Sequence, residues 1–85
     1  MYEIEFQPRA AKDLEKLDRV AAGRILTKIR WLAVNFDSIK PESLVDRLEG
    51  LLKLRVGDYR VVYRADREKS VLRIELVGHR RDIYR

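Results

Sequence analysis

The stretch "LLKLRVGDYRVVYR", residues 51–64, decides how the whole chain is read. Apolar residues fall at every second position: Leu52, Leu54 and Val56, then Tyr59, Val61 and Tyr63. A period of two is the mark of a strand with one buried face. Gly57-Asp58 between the two runs is a two-residue hairpin signal. Folding the strands back on each other gathers Lys53, Arg55, Arg60 and Arg64 on the face away from the apolar one. A slip of one residue would bury these charges, so the register is tightly held.

Downstream, "DREKS" at 66–70 makes a second turn. Leu72, Ile74 and Leu76 then oppose Arg73 and Glu75, which extends the meander by a strand and adds Arg73 to the cationic face. The chain closes with "VGHRRDIYR". Upstream, "NFDSIKPESLVDRLEG" at 35–50 is rich in turn formers, with room for one helical turn around Ser43–Leu48. Before it, Ile25, Ile29, Leu32 and Phe36 recur at helical spacing, predicting a helix from about Val20 to Phe36. Trp31 is read as packing near that stripe. Pro8 opens an earlier helix through "RAAKDLEKLD", and "YEIEF" at 2–6 alternates as a first strand. The order strand, helix, helix, three strands predicts an α+β, βααβββ domain. Its helical hairpin covers one face of a mainly antiparallel sheet.

With 85 residues the chain is read as a single domain, 1–85. It has no cysteine, which suits a reducing compartment and excludes disulfides and thiolate metal sites. No apolar run reaches the roughly 18–20 residues that span a bilayer, and no signal-peptide pattern opens the chain. A cytoplasmic protein is the default expectation, with no membrane partner. Net charge is +5, and its distribution is uneven. Residues 1–50 hold 9 Lys/Arg against 9 Asp/Glu, whereas residues 51–85 hold 10 against 5. An anionic partner for the C-terminal half is one reading of this asymmetry, and a solubilising surface is the other.

No Gly-rich phosphate loop is present, and the single histidine builds no metal set of recognisable spacing. Glu3 and Glu5 read as a solvated strand edge rather than a catalytic pair. Arginine forks on a sheet face suit phosphate oxygens. His79 brings the side-chain type that titrates nearest neutrality, and Tyr84 offers a hydroxyl or a stacking face. Such groups suit metal-free RNA cleavage, in which the ribose 2′-hydroxyl is the nucleophile and no activated Ser or Cys is needed. Plainer roles serve some of these residues equally well: Arg60 paired with Glu75 across the sheet, or His79 simply solvated.

"LKLRVGDYRVVYR" together with "VGHRRDIYR", and with "FQPRAAKDLEKL" upstream, resembles the RelE/ParE superfamily of toxins from type II toxin–antitoxin pairs, in particular its RelE-like branch. The resemblance spans essentially the whole chain. It implies a metal-independent, ribosome-dependent endoribonuclease (an mRNA interferase) that cuts messages in the ribosomal A site without a cofactor. Position by position it implies Lys53, Arg60, Arg80 and Tyr84 as catalytic residues, and His79, a departure from the family pattern, is added to them for acid–base work. Arg55, Arg64, Arg73 and Arg81 would be RNA-binding residues. Leu51 stands where some members carry a second lysine, and His79 where others carry lysine. The implied partners are a RelB-like antitoxin, mRNA and the ribosome, with promoter DNA contacted only through the antitoxin complex. The same family leaves two other readings open: ParE-like inhibition of DNA gyrase, and RNA binding without turnover.

Overall fold

A computed structural model describes residues 1–44 and 50–83. Nine-residue and eight-residue strands form its centre: β4 (Tyr59–Asp66) and β5 (Val71–His79) run antiparallel, with β3 (Leu52–Val56) on the other side of β4. A two-residue strand, β2 (Glu42–Ser43), closes that side, and β1 (Glu3–Phe6) pairs in parallel with β5 at the opposite edge. The sheet order is β1-β5-β4-β3-β2. The expected α+β order is therefore present, with three additions: a 3₁₀ turn at Phe36–Ser38, strand β2 and a last short helix, α3 (Arg80–Ile83). The helical turn expected around Ser43–Leu48 lies mostly outside the described residues, and Ser43 itself is in β2.

The hairpin forms where Gly57-Asp58 predicts it. Gly57 takes φ +58 at the first central position while Asp58 does not, the pattern of a II′ turn. Val56 faces Tyr59 across the turn and Arg55 faces Arg60. The pairing then sets Leu54 against Val61, and Leu52 against Tyr63, on the buried face.

Strand β5 breaks the simple alternation. Its register against β4 shifts between Val62 and Tyr63: Val62 pairs with Leu76, but Tyr63 pairs with Ile74. Glu75 is the extra residue of a β-bulge. Leu72 and Ile74 face the core as expected, but beyond the bulge the phase flips. Val77, 4% exposed, takes the core place expected of Leu76, which faces the other way beside Val62.

Both long helices cover the Leu54–Val61–Ile74 face. α1 (Pro8–Glu15) starts at Pro8, whose missing N–H is not needed in a first turn, and buries Ala10. Its Asp13 carboxylate accepts a 3.0 Å hydrogen bond from the Val77 N–H, so the edge of β5 that β1 does not reach is satisfied by a side chain. α2 (Arg19–Asn35) is capped by Asp18, which accepts from the Ala21 N–H at 2.8 Å, and it buries Ile25, Ile29, Leu32 and Ala33.

α2 is apolar on two sides. Opposite the buried residues, Val20, Trp31 and Val34 are 74, 41 and 57% exposed. Trp31, read as packing from sequence, thus points outward, with the Lys28 ammonium 4.0 Å from its ring centroid. Gly23 sits in the same outward stripe, and a Cβ placed there would meet nothing within 4 Å. Gly23→Ala is therefore expected to stabilise the protein by about 0.5–1 kcal/mol through helix propensity alone. Thermal or urea unfolding measures it, and a destabilised variant would reveal a folding role for the glycine that its surroundings do not show.

Tyr63 lies at the centre of the core, 1% exposed. Burial, offset in part by Arg67, pushes its phenol from 10.0 up to about 12. An acid raised in the folded state contributes stability that is whole below pH 10 and is lost towards pH 12, because the unfolded chain ionises first. The urea midpoint is expected to fall over that interval. Tyr63→Phe should remove a large part of the fall, and an unchanged fall in this variant would assign the effect to other groups.

Candidate functional site

Side chains that leave the core face emerge on the opposite face of the sheet. Pairing places Lys53 beside Val62, Arg55 beside Arg60, and Arg64 beside Arg73 there. Two Arg–Arg pairs thus sit directly opposite each other on neighbouring strands, an arrangement that costs stability unless counter-charges or a ligand offset it. Three carboxylates supply part of the offset. Arg55 meets Glu42 at 3.2 Å, Arg73 meets Glu5 at 3.2 Å, and Arg64 approaches Glu75 at 4.0 Å. The sequence-level pairing of Arg60 with Glu75 does not form; the bulge brings Glu75 to Arg64 instead. These exposed pairs are worth little each in water.

Arg60 differs from its neighbours. It is 7% exposed, and its Nη1 donates to the carbonyls of Gly57 and Tyr59, both at 2.8 Å. The hairpin turn therefore holds the guanidinium in place. Its Nε is buried with no hydrogen-bond partner. A buried charged donor left unspent is costly, and native structures keep few of them.

Lys53 is the diagonal neighbour of Arg60 across β3 and β4, a spacing of about 7–8 Å that long side chains can close. Arg80 fastens onto the same turn. Its backbone N–H donates to the Asp58 carbonyl at 2.8 Å, and its Nε lies 3.9 Å from the Asp58 carboxylate. Arg60 and Arg80 thus lie at the turn end of β4, whereas Lys53, opposite Val62, stands midway between Arg60 and Arg64. Arg64 and Arg73 lie four residues beyond Arg60 along β4, about 13 Å away at the usual strand rise.

His79 is not with them. It pairs with Tyr59, and the alternation that sends Arg60 and Gly78 to one face sends Tyr59 and His79 to the helix side. The two rings meet edge-on at 5.9 Å. Nδ1 of His79 accepts from the Arg81 backbone N–H at 3.2 Å and from Arg81 Nε at 3.3 Å, so this pair is engaged with itself. His79, expected in the catalytic set, thus lies on the face of the sheet opposite Arg60. Tyr84 lies outside the described residues.

Two apolar residues complete the face, Val62 where the alternation puts it and Leu76 brought there by the bulge. Val62, 2% exposed, and half-buried Leu76 form an apolar floor between the cations. Above it, α3 folds back over the sheet: a Cβ on Gly78 would stand 3.1 Å from Ile83 Cδ1, so the glycine admits the close approach of the helix. Gly78 is the cross-strand partner of Arg60. The only sequence signal for this was glycine in an otherwise good strand. Among the described residues no three His, Cys, Asp or Glu side chains converge as a metal-ligand set, and no helix is long and apolar enough to cross a membrane.

Helices on one face of a small mixed sheet are also the fold of small toxins from toxin–antitoxin pairs. The chain belongs to the RelE/ParE superfamily, on its RelE-like branch: residues 4–84 match the family described as "ParE toxin of type II toxin-antitoxin system, parDE". Toxin RelG of Mycobacterium tuberculosis is 36% identical over 88 residues, covering 99% of this chain and 97% of that protein. The toxin–antitoxin complex RelBE2 from the same species holds a chain of similar fold, with TM-score 0.81 and 28% identity over 92% of this chain and 96% of that one. The intact Escherichia coli RelBE toxin–antitoxin complex holds another, with TM-score 0.73 and 25% identity over 93% and 96%.

Proposed function

We propose that this toxin is a metal-independent endoribonuclease that cuts messenger RNA in the ribosomal A site, in the cytoplasm, and that an antitoxin holds it in check. The observation that carries the reading is Arg60: a guanidinium fixed by two carbonyls, buried, with one N–H unspent, in the middle of a cationic face. Preorganised donors of this kind are what a phosphorane transition state needs, because they cost no reorganisation when charge develops.

In the step itself the ribose 2′-oxygen bonds to the adjacent phosphorus and the bond to the 5′-oxygen breaks. The 2′-hydroxyl proton leaves to a base and the 5′-oxygen receives a proton. The products are a 2′,3′-cyclic phosphate and a 5′-hydroxyl. Arg60 and Lys53 carry the phosphorane charge, and Arg80 approaches from the hairpin tip. Tyr84 is assigned to the substrate by family resemblance alone. Arg55, Arg64 and Arg73 guide the flanking backbone, and half-buried Leu76, beside buried Val62, gives the sugar and base edges an apolar contact. Arg60 is covered in the structure, so an incoming phosphate displaces part of its cover. Ile83 of α3 packs on Gly78, the cross-strand partner of Arg60.

Brief induction followed by primer extension across abundant messages tests this. Cuts within translated regions, lost when translation is blocked, are expected. Intact messages with induced DNA-damage signalling would replace the reading with gyrase inhibition, the alternative suggested by the ParE name of the matching family.

A further inference from the structure

His79 lies on the face of the sheet opposite Arg60, yet it is not a solvated side chain. It is half-buried at the last position of β5, with its ring edge-on to Tyr59 at 5.9 Å. The next residue opens α3. A helix start leaves backbone N–H groups without partners, and a side-chain acceptor on the preceding residue satisfies one at the second or third helical position. His79 Nδ1 does this. It accepts from the N–H of Arg81, the second residue of α3, at 3.2 Å, and from Arg81 Nε at 3.3 Å. Ser, Thr, Asp and Asn are the usual residues for such a cap. An imidazole can replace them in one form only: Nδ1 must carry a lone pair, so the neutral ring keeps its proton on Nε2.

A helix of four residues is too short to persist by itself. Among the described residues three contacts hold this one: the His79 cap, the Arg80 N–H on the Asp58 carbonyl at 2.8 Å, and Ile83 against Gly78. Arg80 sits between the first two. Its backbone is fixed on one side by the hairpin turn and on the other by the capped Arg81. The direction in which its guanidinium leaves the turn therefore depends on the cap.

We infer that His79 is a positioning residue: with its proton on Nε2 it caps α3 through Nδ1 and thereby aims Arg80 at the end of the cationic face beside Arg60. The inference deepens the proposed nuclease and rests on that reading for its effect on cleavage, whereas the cap itself does not depend on it. Proton transfer is a different role and needs a ring nitrogen within hydrogen-bond reach of the RNA. Here Nδ1 is engaged by Arg81, and the ring lies against Tyr59 on the far face.

Side-chain amides separate the two ring nitrogens. The carboxamide oxygen of Asn falls near the place of Nδ1, and the longer Gln side chain reaches towards that of Nε2. His79→Asn should therefore keep the cap and cut messages within about threefold of the parent, whereas His79→Gln and His79→Ala should lose it and cut about tenfold more slowly. Urea unfolding of each variant confirms that it is folded. His79→Asn cutting no faster than His79→Ala overturns the inference. That holds whether every variant loses cleavage, as for a proton-transfer group, or every variant keeps it, as for a solvated side chain. The cap is also read without RNA, by NMR of the full-length toxin at mildly alkaline pH. Ring nitrogen shifts should show His79 protonated on Nε2 and bare on Nδ1. Exchange of the Arg81 amide with solvent should be unchanged in His79→Asn and about tenfold faster in His79→Ala. A neutral ring protonated on Nδ1, or an Arg81 amide that exchanges equally fast in all forms, overturns the inference. These two measurements stand even where the parent cuts no message, so failure of the nuclease assignment and failure of this one are separate results.

Discussion

Arg60→Ala is expected to lower the rate of message cleavage by about 10²–10³-fold, the usual loss when one preorganised charge donor is removed from a developing oxyanion. The same change also removes two hydrogen bonds that hold the Gly57–Tyr59 turn, so loss of activity alone would not separate chemistry from folding. Arg80→Ala provides the separation. Arg80 is exposed and its approach to Asp58 is a loose 3.9 Å, so stability should stay within about 0.5 kcal/mol of the parent. Cleavage should nevertheless fall clearly. Arg60→Lys should restore charge but not function, because an ammonium cannot bond two carbonyls and present a planar fork together. The measurement is cleavage of a defined message in a translating extract, beside urea unfolding of each variant. Arg80→Ala and Arg60→Ala proteins that both fold and both cut at the parental rate would remove the nuclease assignment.

The features that proved legible share a cause. Lys53, Arg55, Arg60 and Arg64 could be placed because alternation over an unbroken hairpin leaves only one face for charges. That reasoning depends on an uninterrupted ladder, and it stops at Glu75. The bulge adds one residue with no compositional mark, and every later assignment inverts: Leu76 leaves the core, Val77 enters it, and His79 crosses to the helix side. Strand order was hidden for a different reason. Nothing local tells β1 to lie parallel to β5, yet that neighbourhood sets Glu5 beside Arg73, one of the expected RNA contacts. Trp31 was misplaced because a helix with two apolar faces has no single stripe to read. Counting charge by halves also concealed α2, whose four cations were balanced on paper by carboxylates on other elements.

Phe36→Ala should produce the largest loss of stability in the molecule, about 3–5 kcal/mol. Phe36 directly follows α2, is 1% exposed, and meets Tyr2 edge-on at 5.0 Å and Tyr63 at 6.1 Å. Arg67 lies over its ring at 4.7 Å and also reaches Asp37 at 3.6 Å, while Asp37 accepts from the Tyr2 hydroxyl at 2.8 Å. One ring therefore joins the helix end to the residue preceding β1, to β4 and to the turn before β5. Truncation opens a cavity among groups anchored by the backbone, with Tyr2 N–H bonded to the Ala33 carbonyl at 3.0 Å, so little collapse can refill it. Against a total stability on the order of 5–15 kcal/mol, such a loss leaves a large unfolded fraction near body temperature. Phe36→Leu keeps much of the volume and should cost about 1.5 kcal/mol or less. The consequence for function is indirect but measurable. Tyr63 lies between Val62 and Arg64 in β4, on the face opposite the cations, so loosening Phe36 loosens the strand that carries Arg60. Cleavage by Phe36→Ala in a translating extract should then be reduced in proportion to its folded fraction, whereas cleavage by Arg80→Ala should be low although the protein is folded. A Phe36→Ala protein unfolding within 1 kcal/mol of the parent would mean that helix and sheet are held together elsewhere.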